Sequence, residues 1–89
     1  MKQVNFKDIE YFCDDPTLPG EVTATLQLEK GRGYKLSLSS GSNVVPVVLS
    51  RNRPFYFISL EGALANLVDV PNLSRHLVID LSAFGMQTF

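Results

Sequence analysis

Cys13 and His76 are the only thiol and the only imidazole in the chain, so nucleophilic chemistry would have to bring those two together. Such a pair holds a thiolate beside an imidazole, and Asp80 is the acid that would orient the ring. Nothing in the residues around Cys13 supports this arrangement, and its expected role is that of a small, packed apolar side chain. His76 follows Ser74-Arg75 and reads as a polar loop residue. One histidine with scattered carboxylates does not make a zinc site. Gly31-Arg32-Gly33 has the look of a phosphate loop, but no helix follows it to hold a phosphate, so it reads as a hairpin turn. Asp14-Asp15 stands before Pro16, where acids commonly form turns. The chain is therefore expected to be non-enzymatic, with no catalytic residue, no metal and no cofactor.

Charge is distributed unevenly. Lys30, Arg32, Lys35, Arg51 and Arg53 give residues 30–53 a local charge of +5 with no acid among them. Residues 1–21 carry Asp8, Glu10, Asp14, Asp15 and Glu21 against Lys2 and Lys7, a local charge of −3. If successive strands are joined by hairpins, the Lys30–Gly33 and Ser50–Pro54 turns fall at one end of the sheet, near Tyr34, Phe55 and Tyr56. That grouping makes the five cations the candidate nucleic-acid-binding residues, with aromatic rings available for stacking on bases. The competing reading is that turn cations keep the sheet soluble.

The elements that would position these residues follow from periodicity. Val22, Ala24, Leu26 and Leu28 alternate with Thr23, Thr25, Gln27 and Glu29, the clearest strand pattern in the chain. Tyr34, Leu36 and Leu38 alternate likewise with Lys35, Ser37 and Ser39. A third strand covers residues 44–49, and Pro46, having no N–H to give to a ladder, marks it as an edge or a bulge. Phe55 to Ile58 reads as a half-buried strand. Ser59 then caps a helix over about 60–69 whose Leu60, Ala63, Leu64 and Leu67 recur at the helical period, and Glu61 sits in its first turn. Pro71 stops that helix, and Leu77, Ile79 and Leu81 alternate within a closing strand at 77–82. In the opening segment, residues 1–21, Asn5 and Asp8 suggest a cap before a short helix over roughly 6–13, with a strand through Val4 and Phe6 as the alternative.

The expected fold is a single α+β domain over residues 1–89: an antiparallel β-meander, one helix packed on a sheet face and a closing C-terminal strand. The helix should bury Leu60, Ala63, Leu64 and Leu67 on Leu26, Leu28, Leu36, Leu38 and Ile79. A hydrophobic content of 45% with 19% charged residues is globular rather than disordered composition. The opening residues lack a signal-peptide core and no apolar run is long enough to span a bilayer, so a soluble cytoplasmic protein without membrane contact is expected. A net charge of −1 leaves little repulsion between copies. Phe6, Phe12, Tyr34, Phe55, Tyr56, Phe57, Phe84 and Phe89 exceed what one small core hides. A homodimer through a sheet edge or an aromatic face is the expected consequence.

From Tyr34 onward the chain resembles small plasmid-borne partition-associated (ParC-type) proteins. The residues that carry the resemblance are Arg53, Phe57, Ser59, Leu60, Ala63, Leu64, Leu67, Val78, Asp80 and Leu81, over roughly half of the chain. It implies an accessory protein of a mobile genetic element, concerned with plasmid partition or DNA maintenance and touching nucleic acid through the basic turns. The alternative is a protein-interaction module, a phage- or plasmid-encoded regulator or inhibitor that binds a host protein through an apolar surface or a strand edge.

Overall fold

The two stretches with the cleanest period-two pattern become the centre of the sheet. In the computed structural model, which describes residues 3–50 and 53–82, β2 (Val22–Glu29) and β3 (Gly33–Ser40) pair antiparallel along their full eight residues. Their turn closes through the Arg32 N–H, which donates to the Glu29 carbonyl at 3.1 Å, with Gly31 at φ 78°. β4 (Asn43–Ser50) returns beside β3, but only Asn43–Pro46 pair with Ser37–Ser40. The ladder ends at Pro46, which has no N–H to contribute.

Beyond that point the sheet forks. β5 (Arg53–Pro54) pairs back on β4, and β6 (Tyr56–Phe57) takes over the flank of β3, with Tyr34 opposite Phe57 and Lys35 opposite Tyr56. Phe55 bridges the gap between the arms. Its N–H donates to the Val47 carbonyl at 3.0 Å, and its carbonyl accepts the Leu36 N–H at 3.2 Å. Backbone groups left without a ladder by Pro46 are thus paired. The aromatic segment expected as one strand is consequently split, and Ile58, beyond β6, is 94% exposed.

Both readings of the opening segment hold in part. β1 (Val4–Asn5) pairs parallel with Val47–Val48 of β4, and the Asn5 side chain caps the 3-10 turn Phe6–Asp8 by accepting the Lys7 N–H. α1 (Ile9–Cys13) follows directly. After β6, Ser59 caps α2 (Leu60–Leu67) by accepting the Gly62 N–H at 3.1 Å. The chain then returns to β7 (Val78–Asp80), which lies parallel to β2 rather than antiparallel. The direction has a geometric cause: β6 already runs parallel to β2, and a helix between two strands makes a crossover that leaves them parallel. The order across the sheet is β1-β4-β3-β2-β7.

One face of the sheet holds the core. Val22, Ala24, Leu26, Leu36, Leu38, Val45 and Val47 meet Ile9, Phe12 and Cys13 of α1, and Phe57, Ala63 and Leu67. Phe6, Phe55 and Phe57 close the fork side as an aromatic trio, with Phe6 stacked on Phe55 at 4.1 Å and Phe57 edge-on to both. Phe84 and Phe89 lie outside the described residues. Ser40 is the buried polar side chain among the described residues; its hydroxyl donates to the Gly20 carbonyl and accepts the Gly20 N–H, so burial leaves it satisfied.

The helix face differs from expectation at one position. Ala63 and Leu67 are buried and Leu60 partly so, but Leu64 is 48% exposed. Leu28 is only half-buried and Ile79 is 43% exposed. A three-residue β7 is too narrow a flank to cover both Ile79 and the side of α2 that carries Leu64.

Two comparisons test this arrangement by urea denaturation. Leu36→Ala should cost about 2–5 kcal/mol, because it empties a fully buried site, whereas Leu64→Ala should cost under about 1 kcal/mol. Equal midpoints for the two variants would show that the helix face is misassigned. Gly33 sits at φ 105°, and a Cβ there would collide with the Phe57 carbonyl oxygen, whereas Gly31 faces open space. Gly33→Ala should therefore lower the midpoint more than Gly31→Ala, by about 1 kcal/mol or more.

Candidate functional site

The basic residues of the sequence do not form one free cluster. Lys30 and Arg32 lie exposed in the β2–β3 turn. Lys35 points to the sheet face opposite the core, between Gln27 and Tyr56 in the cross-strand register. Arg53 is exposed at the base of the β4–β5 hairpin, opposite Ser50. Arg51 lies outside the described residues. The connection that carries Arg53 is not a hairpin within the β3 ladder, since β5 returns along β4 before β6 crosses to β3.

Arg32 has internal partners. The Tyr56 hydroxyl donates to Glu29 Oε1 at 2.9 Å. The same hydroxyl, with the Glu29 carboxylate behind it, raises the Arg32 guanidinium above its ordinary pKa. The turn thus holds a Glu29–Tyr56–Arg32 set in which an acid answers a cation. Glu29 stands one residue before the basic stretch, outside the acid-free residues 30–53. Its signal was its place at the end of β2, opposite Gly33 in the hairpin.

The outward sheet face has regular chemistry of its own. One cross-strand row reads Asp80, Gln27, Lys35, Tyr56; the next reads Val78, Thr25, Ser37, Pro46. The two helices supply the core on the other side, so this face keeps its hydroxyls, amide and phenol partly open to water. Such a surface suits hydrogen bonding and stacking. It has no buried, unpartnered polar side chain that would activate a substrate.

The residues that could have done covalent chemistry stay apart in role and setting. Cys13 is buried at the end of α1, and burial, reinforced by Asp14 and Glu10, pushes its thiol up to about 11. At neutral pH it is a protonated, packed group. His76 is exposed before β7, with its backbone N–H donating to Ser74 Oγ. Asp80 spends its carboxylate on the Ser82 N–H at 2.9 Å, which lowers its pKa. Asp14 and Asp15 are structural: Asp14 accepts the Asn72 amide, tying α1 to the loop after α2, and Asp15 accepts both the N–H and the hydroxyl of Thr17. Among the described residues no group of three or more His, Cys, Asp or Glu side chains is placed to hold a metal ion.

A different surface emerges on the far side of the sheet. A cleft of about 530 Å³ opens between α2 and the segment leading into β7, lined by Leu64, Leu67, Val68, Val70, Leu73 and Leu77 with Asp69 and Arg75 among its polar residues. Beside it β7 ends the sheet, and Val78, Ile79 and Leu81 are each between 43% and 51% exposed. Val68 and Leu64 extend the apolar surface along the helix. The sequence signal is Leu64 and Val68 at helical spacing together with the Leu77, Ile79, Leu81 alternation; of these, Leu64 and Ile79 are expected in the core and are half-exposed instead. Among the described residues no helix is long and apolar enough to cross a membrane. No protein-family model, curated protein or solved structure matches this chain.

The thiol gives a direct test of the Cys13 environment. Its folded pKa is raised above the ordinary 9.0, so between about 9 and 11 the unfolded chain loses the proton first and stability falls as pH rises. Cys13→Ser should flatten that fall in a pH series of urea midpoints while lowering stability by about 1–3 kcal/mol. An unchanged alkaline profile would mean that the thiol is not buried as described.

Proposed function

We propose that this chain is a non-catalytic interaction module that recruits an extended segment of a partner onto the edge of β7 that pairs with no other strand among the described residues. The observation that carries this reading is the edge itself. β7 is the last strand of the sheet order, and its outward backbone groups stand beside half-exposed Val78, Ile79 and Leu81 and the apolar cleft under α2. Strand addition supplies backbone hydrogen bonds for affinity, and alternate side chains entering an adjacent pocket supply selectivity. Such a role fits a cytoplasmic accessory protein of a plasmid or phage, acting as a regulator or inhibitor, the setting suggested by the partition-associated resemblance.

Contact with nucleic acid is the second reading, and one observation favours it. Lys35 and Tyr56 are direct cross-strand neighbours on the open face, with Arg32 at the adjoining turn. A single strand laid across that face would find a ring to stack on and cations for its phosphates. The Glu29 carboxylate in the same set weakens this reading, because it already answers Arg32.

Labelled protein at nanomolar concentration, titrated against an array of extended peptides, separates the two. Peptides with alternating apolar residues should bind, and binding should be lost when their alternate amides are N-methylated or when Ile79 is replaced by proline. Added salt should change those affinities little. If the array gives nothing while oligonucleotides bind with an affinity that falls steeply as salt rises, the module is a nucleic-acid binder instead.

A further inference from the structure

We infer that the extended segment β7 takes is β7 of a second copy, paired antiparallel about Ile79; the inference rests on the edge-recruitment reading. A closed pair of identical chains is related by a two-fold axis, and such an axis at a strand edge pairs that edge with itself in antiparallel sense. Residues that face each other across an antiparallel pair share a side of the sheet, so the axis must pass beside a residue and not between two. Three centres are then available within β7.

Centred on Ile79, the register sets Ile79 against its own copy, Val78 against Asp80, and Leu77 against Leu81. Apolar side chains meet apolar ones on the core side, and no two like charges face each other. Leu81 of the second copy arrives beside Leu77, which lines the cleft with Leu64 and Val68. The half-exposed surface of α2 is thereby extended into the contact. An Asp80 centre would oppose two carboxylates, which is destabilising. A Val78 centre would leave Leu81 against Arg75 and Asp80 against His76. Net charge supports the pairing, since at −1 the chain has almost no repulsion to overcome. The edge also lacks the lysine or proline with which sheets blunt self-association, and its one charge, Asp80, is turned to the Ser82 N–H.

Light scattering on the full chain across the micromolar range should give a mass that rises to twice the chain mass, and Ile79→Lys should return it to the single mass with its circular dichroism unchanged. Cross-linking reads the register. Directly opposed residues lie about 4.5–5.5 Å apart at Cβ, close enough for a disulfide to form with small adjustment. Under mild oxidation Ile79→Cys should form a covalent dimer with itself. Val78→Cys should not, but it should couple to Asp80→Cys when the two proteins are mixed. Native Cys13, buried in the core, serves as the unreactive control. A strictly single mass, a dimer that survives Ile79→Lys, or self-coupling of Val78→Cys equal to that of Ile79→Cys would each overturn the pairing. A single mass with peptide binding retained removes this pairing alone, whereas a single mass with no peptide binding removes the edge reading as well.

Discussion

The missing N–H of Pro46 is the constraint around which the rest of the fold is arranged. A proline inside a ladder interrupts pairing, and a neighbouring strand with buried residues cannot leave its backbone groups bare. β3 therefore needs a second partner for Tyr34 to Leu36, and Phe55 to Phe57 provide it. Because β4 has turned away, the edge of its far half that would have faced β3 pairs with β5 instead, while β1 takes the opposite edge. The Phe6 ring of the opening segment reaches the fork to stack on Phe55. Gly33 belongs to the same arrangement: β6 can approach the start of β3 only where no Cβ stands.

The fork also decides which residues meet at the β2–β3 turn. β6 carries Tyr56 to Lys35, and its hydroxyl to Glu29. Without the exchange of partners at Pro46, β4 would have continued along β3 and placed Val48 beside Lys35. A local backbone defect thus turns the outward face from aliphatic to polar at the place where the cations lie. It also sets Tyr56, with Glu29 behind it, beside Arg32, where both favour the charged guanidinium.

How much of this was legible in the sequence depends on range. The alternation in residues 22–29 and 34–39 reports which side of a strand is buried, and it holds except at half-buried Leu28. The Ser59 cap forms as expected, and the helix expected over roughly 6–13 is a 3-10 turn followed by α1. Partner choice is not encoded in any period. Nothing in Phe55–Phe57 says that they replace β4 beside β3, and nothing in Val78–Asp80 says that they run parallel to β2. Leu64 shows the same limit at the level of one side chain: its spacing from Leu60 and Leu67 puts it near the apolar stripe, but burial depends on whether the sheet extends beneath it. Among the described residues β7 is the last strand on that side, and Leu64 stays 48% exposed. Of the candidate site, the cations were visible and the neighbour of Arg32 was not, since Tyr56 reaches the β2–β3 turn from a third strand.

The two edges of the sheet are managed differently, and the contrast bears on what each is for. β1 is two residues long, and its chain passes at once into the capped turn and α1, whose Ile9 and Phe12 are buried. Its apolar surface is consumed within the chain. β7 has apolar residues at Leu77, Val78, Ile79 and Leu81, no lysine or proline within it, and a helix beside it that leaves Leu64 and Val68 half in water. Burying those side chains on something is worth about 25 cal/mol for each Å² removed from water. An edge built only for stability would be blunted by charge or covered by a loop. β7 is three residues long and is followed at once by the turn in which Asp80 accepts the Ser82 N–H. In the proposed pairing, a short edge that is apolar apart from Asp80 would suit a closed pair rather than continued aggregation.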